Sequence, residues 1–338
     1  MTRIDRRQLL TGTAAAAAVA ALPAAAQTAG GAVPRLAGKS ILLTGTSSGF
    51  GQIGALLYAR AGAKVIASMR NVPRPEAELL ARTAREERLD LHVVEIDVTD
   101  DAQVARGVAE AERLAGGALD VLVNNAGLPY TGPVELQDVE ATRAMFDTNV
   151  IGYQRMARAV LPAMRARRAG LIVNVSSQLG RMVSPFAGMY CATKHAVEAW
   201  AEQMAYELAP RGVEVLIIQP GGYPTNIWPN RIRVTRELLE RTPDALEAAY
   251  PEFRLRESAA GGTTDPADVP RAIAEIIAMP AGERPLRRAV HPGPRPHEPI
   301  NAVSAHVQRQ VLSRGPYASW AEAVLGPDQG FPVWWLPG

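Results

Sequence analysis

What most restricts the fold of this chain is an alternation: from residue 39 to about residue 220, short apolar runs trade places with segments of helix length. The runs cover residues 40–43, 64–68, 91–96, 119–123, 171–175 and 213–218. Each is rich in Val, Ile or Leu, as strands covered on both faces should be. Helical segments are expected at 76–88, 101–115, 138–167 and 188–209, and Pro162 inside the third predicts a kink or a boundary. Repetition of this kind predicts an α/β fold: a single-domain, Rossmann-like, doubly wound parallel sheet in three α/β/α layers. A further helix is expected to begin with Asp265 as N-cap and Pro266 in the first turn, and a last strand near residues 286–290.

Between the first strand and its helix lies Thr44-Gly45-Thr46-Ser47-Ser48-Gly49-Phe50-Gly51. Backbone amides and the positive end of a helix dipole can receive a pyrophosphate at such a turn. Gly45 permits the tight turn, while Gly49 and Gly51 permit close approach of phosphate and of neighbouring backbone. The spacing departs from G-x-G-x-x-G. The same octapeptide also spells G-x-S-x-G, the nucleophile elbow of serine hydrolases, with Ser47 as nucleophile and His291, His297 or His306 as distant bases. Against that reading, an elbow normally follows several strands, and no His-Gly-Gly-Gly oxyanion segment is present.

Tyr190 and Lys194 stand four residues apart, hence on one helix face, where an ammonium can favour the ionised form of a phenol. A phenol with an ordinary pKa of about 10 can then trade protons nearer neutrality. Ser177 lies upstream, just past the apolar run at 171–175.

With Asp97-Val98, Asn124-Asn125-Ala126-Gly127, Asn149-Val150-Ile151-Gly152 and Pro220-Gly221 followed by Thr225, these landmarks fall in one order. In that order the sequence resembles the short-chain dehydrogenase/reductase family across residues 36–290. The resemblance implies catalysis by Asn149, Ser177, Tyr190 and Lys194. Ser177 would bond the substrate oxygen, Tyr190 would pass its proton, Lys194 would lower the Tyr190 pKa and hold the nicotinamide ribose, and Asn149 would fix a water in a proton relay. Gly45, Ser47, Ser48, Gly49, Phe50, Gly51, Asp97, Val98, Asn124, Ala126, Gly127, Pro220, Gly221 and Thr225 would hold the dinucleotide, together with Tyr190 and Lys194. A catalytically idle dinucleotide sensor is the alternative, which the complete catalytic set argues against.

The end of the second strand, Val65-Ile66-Ala67-Ser68-Met69-Arg70, offers no carboxylate for a ribose 2′-hydroxyl, whereas Arg70, or Arg74 in its place, can pair with a 2′-phosphate. NADP(H) is therefore expected in preference to NAD. Leu128, Tyr130, Met182, Phe186, Met189, Tyr223, Ile227 and Trp228 flank the expected pocket, so an apolar ketone, aldehyde or alcohol is the expected substrate.

Residues 1–26 read as a secretory leader: Arg6-Arg7 gives it a twin-arginine look, and its alanine-rich run is too short for a good membrane span. A periplasmic address follows, or a cytoplasmic one if the leader is not used. The leader holds Arg3, Arg6, Arg7 and Asp5, so the 36 basic and 34 acidic residues of the whole chain become 33 of each without it. Neutrality gives no support to nucleic-acid or anionic-membrane binding. Cys191, the single cysteine, allows no internal disulfide, and the five histidines lack metal-ligand spacing, so no metal is expected. Residues 27–35 read as a linker, 36–290 as the catalytic domain with a mobile helical flap at 222–262, and 291–338 as a docking tail. By the same resemblance, a homodimer or homotetramer would form through the two long helices.

Overall fold

The structure, a computed structural model, describes residues 33–253, 255 and 262–326. The leader expected at 1–26 lies outside the described residues, as do Trp334 and Trp335 of the tail. Seven parallel strands form one sheet in the order β3-β2-β1-β4-β5-β6-β7. They are β1 (Ser40–Thr44), β2 (Lys64–Met69), β3 (Leu91–Glu95), β4 (Val121–Asn124), β5 (Gly170–Val175), β6 (Val213–Pro220) and β7 (Arg287–Val290). After β3 the chain crosses to the other side of β1, so a crevice opens between the carboxyl ends of β1 and β4, where ligands of such sheets collect.

Alternate residues of each strand feed two separate apolar layers. Ile41 and Leu43 of β1 pack with α1 (Gly49–Arg60), α2 (Pro75–Glu87) and α9 (Asp268–Ala278). Leu42 points the other way, into a cluster with α3 (Asp101–Ala115), α5 (Gly152–Arg167) and α6 (Met189–Leu208). The doubly wound, three-layer fold expected from the alternation is the one observed.

Three local expectations are corrected. The helix expected over 138–167 is two α segments, α4 (Val139–Phe146) and α5, joined by a π turn at Asp147–Ile151. In that turn the Gly152 amide reaches back five residues to the Asp147 carbonyl. Pro162 does not end the segment; it sits within α5, and the boundary falls at the π turn instead. Asp265 does not cap α9 directly, because its carboxylate accepts from the Ala267 amide and closes a turn ahead of the helix.

The segment after β6 carries α7 (Ile227–Leu239) and the short α8 (Asp244–Ala248). Beyond β7, α10 (Glu298–Leu312) and α11 (Ala318–Leu325) lie against the molecule. Asn301 of α10 exchanges side-chain amide hydrogen bonds with Gln219 at the end of β6. Val324 and Leu325 of α11 pack on the second apolar layer. No described helix is long and apolar enough to cross a membrane.

Candidate active site

The carboxyl ends of the strands open into a cavity of about 730 Å³. Its floor begins at the glycine turn. Gly45 has a positive φ of 71°, and a Cβ there would stand 2.8 Å from the Ala126 backbone, so the turn after β1 and the turn after β4 touch backbone to backbone. A Cβ on Gly51 would overlap the Gly45 carbonyl, which lets α1 start hard against the turn. The Ser48 side chain makes no capping bond and the first turn of α1 carries no acidic residue. Ser47, Ser48, Gly49 and Phe50 line the cavity, so a helix N-terminus free of competing negative charge faces it, a setting that suits an anion.

Three other strand ends add to the same wall. Met69 ends β2 and Arg70 follows it, Asp97 and Val98 follow β3, and Ala126 and Gly127 follow β4. The Asp97 carboxylate accepts from the amide and hydroxyl of Thr99. The mostly exposed Arg70 guanidinium comes within 4.0 Å of Asp97, and Arg74 donates to the Arg70 carbonyl at 3.3 Å. Pro220, Gly221 and Thr225 close the far side.

Two of the expected residues lie away from the cavity lining. Asn124 is fully buried, and its amide donates to Asn174 Oδ1 at 2.9 Å inside the sheet; the next residue, Asn125, lines the cavity and holds Thr44 and Gly45 carbonyls. Strand alternation is the reason, since neighbouring side chains leave a strand on opposite sides. Gly51 likewise packs backbone and does not line the cavity.

α6 brings Tyr190 and Lys194 into the cavity on one face, opposite Ser177 at the end of β5. Gly188, ahead of the helix, has a positive φ of 57°, and a Cβ there would clash with the Gln137 amide. Gln137, buried, accepts from the Met189 amide at 2.9 Å and so caps α6 from a distant loop. No sequence signal short of the fold marks this residue.

Lys194 is only 4% exposed. Its Nζ donates to the Val175 carbonyl at 2.9 Å and stands 5.7 Å from the Tyr190 ring centre. Burial pulls the ammonium down to about 8, partly offset by Glu198. Burial pushes the Tyr190 phenol up to about 12, reinforced by Cys191 and opposed by the neighbouring Ser177 hydroxyl and the Arg231 charge. Desolvation thus sets the direction for both groups, raising the phenol and lowering the ammonium.

Asn149 is fully buried and does not line the cavity. Its side chain accepts from the Leu128 amide at 2.7 Å and donates to the Leu128 carbonyl and to Thr193 Oγ1. It ties the loop after β4 to the helix that carries Lys194, and it touches the cavity through neither atom.

On the open side, Leu128, Tyr130, Tyr223, Ile227 and Trp228 line the cavity as expected, whereas Met182, Phe186 and Met189 do not. Phe186 packs on Phe253 instead. Phe50, Tyr223 and His291 form a ladder of edge-on rings 5.6 Å apart. Sequence reading missed Arg231 of α7, which lines the cavity, stacks over Trp228 at 5.0 Å and donates to Thr131. The hydrolase arrangement is not assembled: among the described residues no histidine hydrogen-bonds Ser47, and His291 accepts from the Gly293 amide instead.

The family model for short chain dehydrogenase matches residues 39–234. The chain belongs to the short-chain dehydrogenase/reductase family. It is similar to a 3-ketodihydrosphingosine reductase of Bacteroides thetaiotaomicron, 33% identical over 75% of this chain and 87% of that protein. Retinol dehydrogenase 8 of Bos taurus is 34% identical over 74% of this chain and 80% of its own. Among solved structures, a short-chain dehydrogenase/reductase of Burkholderia phymatum in complex with NAD has a TM-score of 0.64 at 26% identity, covering 83% of this chain and 97% of that one. A gluconate 5-dehydrogenase of Burkholderia cenocepacia in complex with NADP and tartrate has a TM-score of 0.54 at 33% identity, covering 57% and 74%. This short-chain dehydrogenase/reductase is therefore an oxidoreductase for small carbonyl or alcohol substrates, with a nicotinamide dinucleotide as cofactor. The glycine cradle and the uncapped first turn of α1 fit the pyrophosphate of such a group.

Proposed function

We propose that this protein transfers hydride between NADP(H) and the carbonyl or secondary alcohol of an apolar small molecule. The observation that carries the reading is the convergence of Ser177, Tyr190 and Lys194 on one cavity, with the Lys194 ammonium 5.7 Å from the Tyr190 ring centre. When bound, the nicotinamide supplies or accepts the hydride. Ser177 orients the substrate oxygen by hydrogen bonding, and Tyr190 gives it a proton during reduction or takes one during oxidation. Asn149 acts at one remove, by fixing the Leu128 loop and Thr193 beside Lys194.

The NADP(H) preference rests on Arg70 and Arg74 at the end of β2, with no carboxylate on that strand end to receive a 2′-hydroxyl. Apolar specificity rests on Leu128, Tyr223, Ile227 and Trp228, and relatives named for a ketosphingoid base and for retinol point the same way. A homodimer or homotetramer, and export by the leader to the periplasm, belong to the same proposal. Exposed Val139 and Ile151 on the α4 side support a subunit contact there.

The test is NADPH oxidation with a panel of aliphatic and aromatic ketones, run beside Tyr190→Phe. Turnover lost in the variant while dinucleotide binding persists is the expected result. Binding without turnover on any ketone, aldehyde or alcohol would instead make the protein a cofactor sensor.

A further inference from the structure

Lys194 is a buried cation that donates a hydrogen bond to a neutral group. The Val175 carbonyl that receives it also accepts from Tyr153 Oη at 3.1 Å. The rings of Tyr153 and Tyr190 flank the ammonium at 5.6 and 5.7 Å. Among the described residues no carboxylate forms a salt bridge with it. A buried ammonium with no anion nearby tends to shed its proton.

The answering charge lies one helical turn further along α6. Glu198 is 1% exposed and shares the Lys194 face at a spacing of four residues. Its field opposes the effect of burial on Lys194. The carboxylate is clamped: Arg287 of β7 reaches it at 2.8 Å, and Gln219 of β6 donates to it at 3.0 Å. Arg287 also pairs with Glu202 at 2.6 Å, and Gln219 is bonded in turn to Asn301 of α10. Arg181, after β5, and His297, at the start of α10, feel the same carboxylate from the other elements packed there. Arg181 is fastened to α10 through Ser304 and the Ile300 carbonyl.

Resting on the reading of Tyr190 and Lys194 as the proton-transfer pair, we propose that Glu198 is a positioning residue for the reaction. Its clamped carboxylate supplies the counter-charge of the Lys194 ammonium, and the docking of α10 onto Gln219 holds that carboxylate in place. The tail beyond β7 thereby reaches the chemistry through a chain of side chains behind the catalytic helix, without entering the cavity.

The test reads Lys194 directly in the full-length protein without cofactor. Acetylation by acetic anhydride proceeds only on the neutral amine, so its pH dependence, followed on the Lys194 peptide by mass spectrometry, gives a midpoint. In the wild type it is expected near 8. Glu198→Gln should move it downward by about one unit or more, and the alkaline limb of kcat/KM should move with it. Glu202→Gln disturbs the same Arg287 but sits two turns from Lys194, so its midpoint should stay with the wild type. A Glu198→Gln midpoint equal to wild type, or an equal shift in both variants, overturns the proposal. If Glu198→Gln does not fold, Asn301→Ala reads the link from the α10 side, with a downward shift supporting it and no shift overturning it. A wild type that turns over no substrate while the midpoints separate as stated sinks the proposed function and supports the Glu198–Lys194 coupling.

Discussion

The two walls of the cavity are built by different means. The wall from β1 to β4 is backbone: Gly45 against Ala126, Gly51 against Gly45, and Asn125 holding two carbonyls of the turn. The wall formed by α7 is side chains, with Ile227, Trp228 and Arg231 projecting from one helix and Arg231 held by Thr131 and the Trp228 ring. A backbone wall fixes a shape that many sequences of one family must share, whereas a side-chain wall can be rewritten residue by residue. The first suits a constant partner such as a dinucleotide, and the second a variable one.

The sharpest way to test this division begins where the walls meet. Tyr190→Phe should lower kcat by about a thousandfold while leaving dinucleotide affinity within about twofold, measured by steady-state turnover and fluorescence titration. An equal loss of cofactor binding would erase the distinction between the walls. Next, Gly51→Ala forces a methyl onto the Gly45 carbonyl. It should destabilise the fold by about 1–3 kcal/mol in thermal or denaturant unfolding and weaken dinucleotide binding more than substrate binding.

Smaller effects are expected at the rims. Arg70→Ser should reduce the NADPH over NADH preference in kcat/KM by about tenfold, since an exposed guanidinium contributes modestly to a charged contact. No change would leave Arg74 or the backbone as the source of selectivity. The smallest expected effect belongs to α7: Trp228→Ala should raise KM for bulky apolar ketones by about fivefold, with the dinucleotide Kd unchanged. A matching change in dinucleotide Kd would show that the α7 wall is not independent.

The backbone wall was the legible one. Glycines with positive φ at a strand-to-helix turn follow from local pattern, as at Gly45 and Gly49, whereas Asp97 and Ser177 are placed by the family resemblance. Less legible were places where a single step along the chain reverses a side chain, as at Asn124 and Asn125, or where the degree of burial decides the direction of a pKa, as at Tyr190 and Lys194. Asn149 was found by its neighbours in sequence, but its isolation from the cavity depends on the π turn, which no periodicity announces. Gln137 and Arg231 were not legible, because each acts on a partner about fifty or a hundred residues away that only the fold brings near. Pro162 shows the converse, a strong local signal that the surrounding helix simply absorbs.

The π turn at Asp147–Ile151 carries one surplus residue, and that surplus sets the phase between two customers of one helix. Within it, Asn149 is aimed at the Leu128 loop; downstream, Tyr153 is aimed at the Val175 carbonyl that Lys194 also uses. Excising a residue from the turn would rotate everything after it by about 100°, so one of the two aims would be lost whichever residue was removed. Anyone transplanting this helix into another scaffold must carry the irregularity along with it.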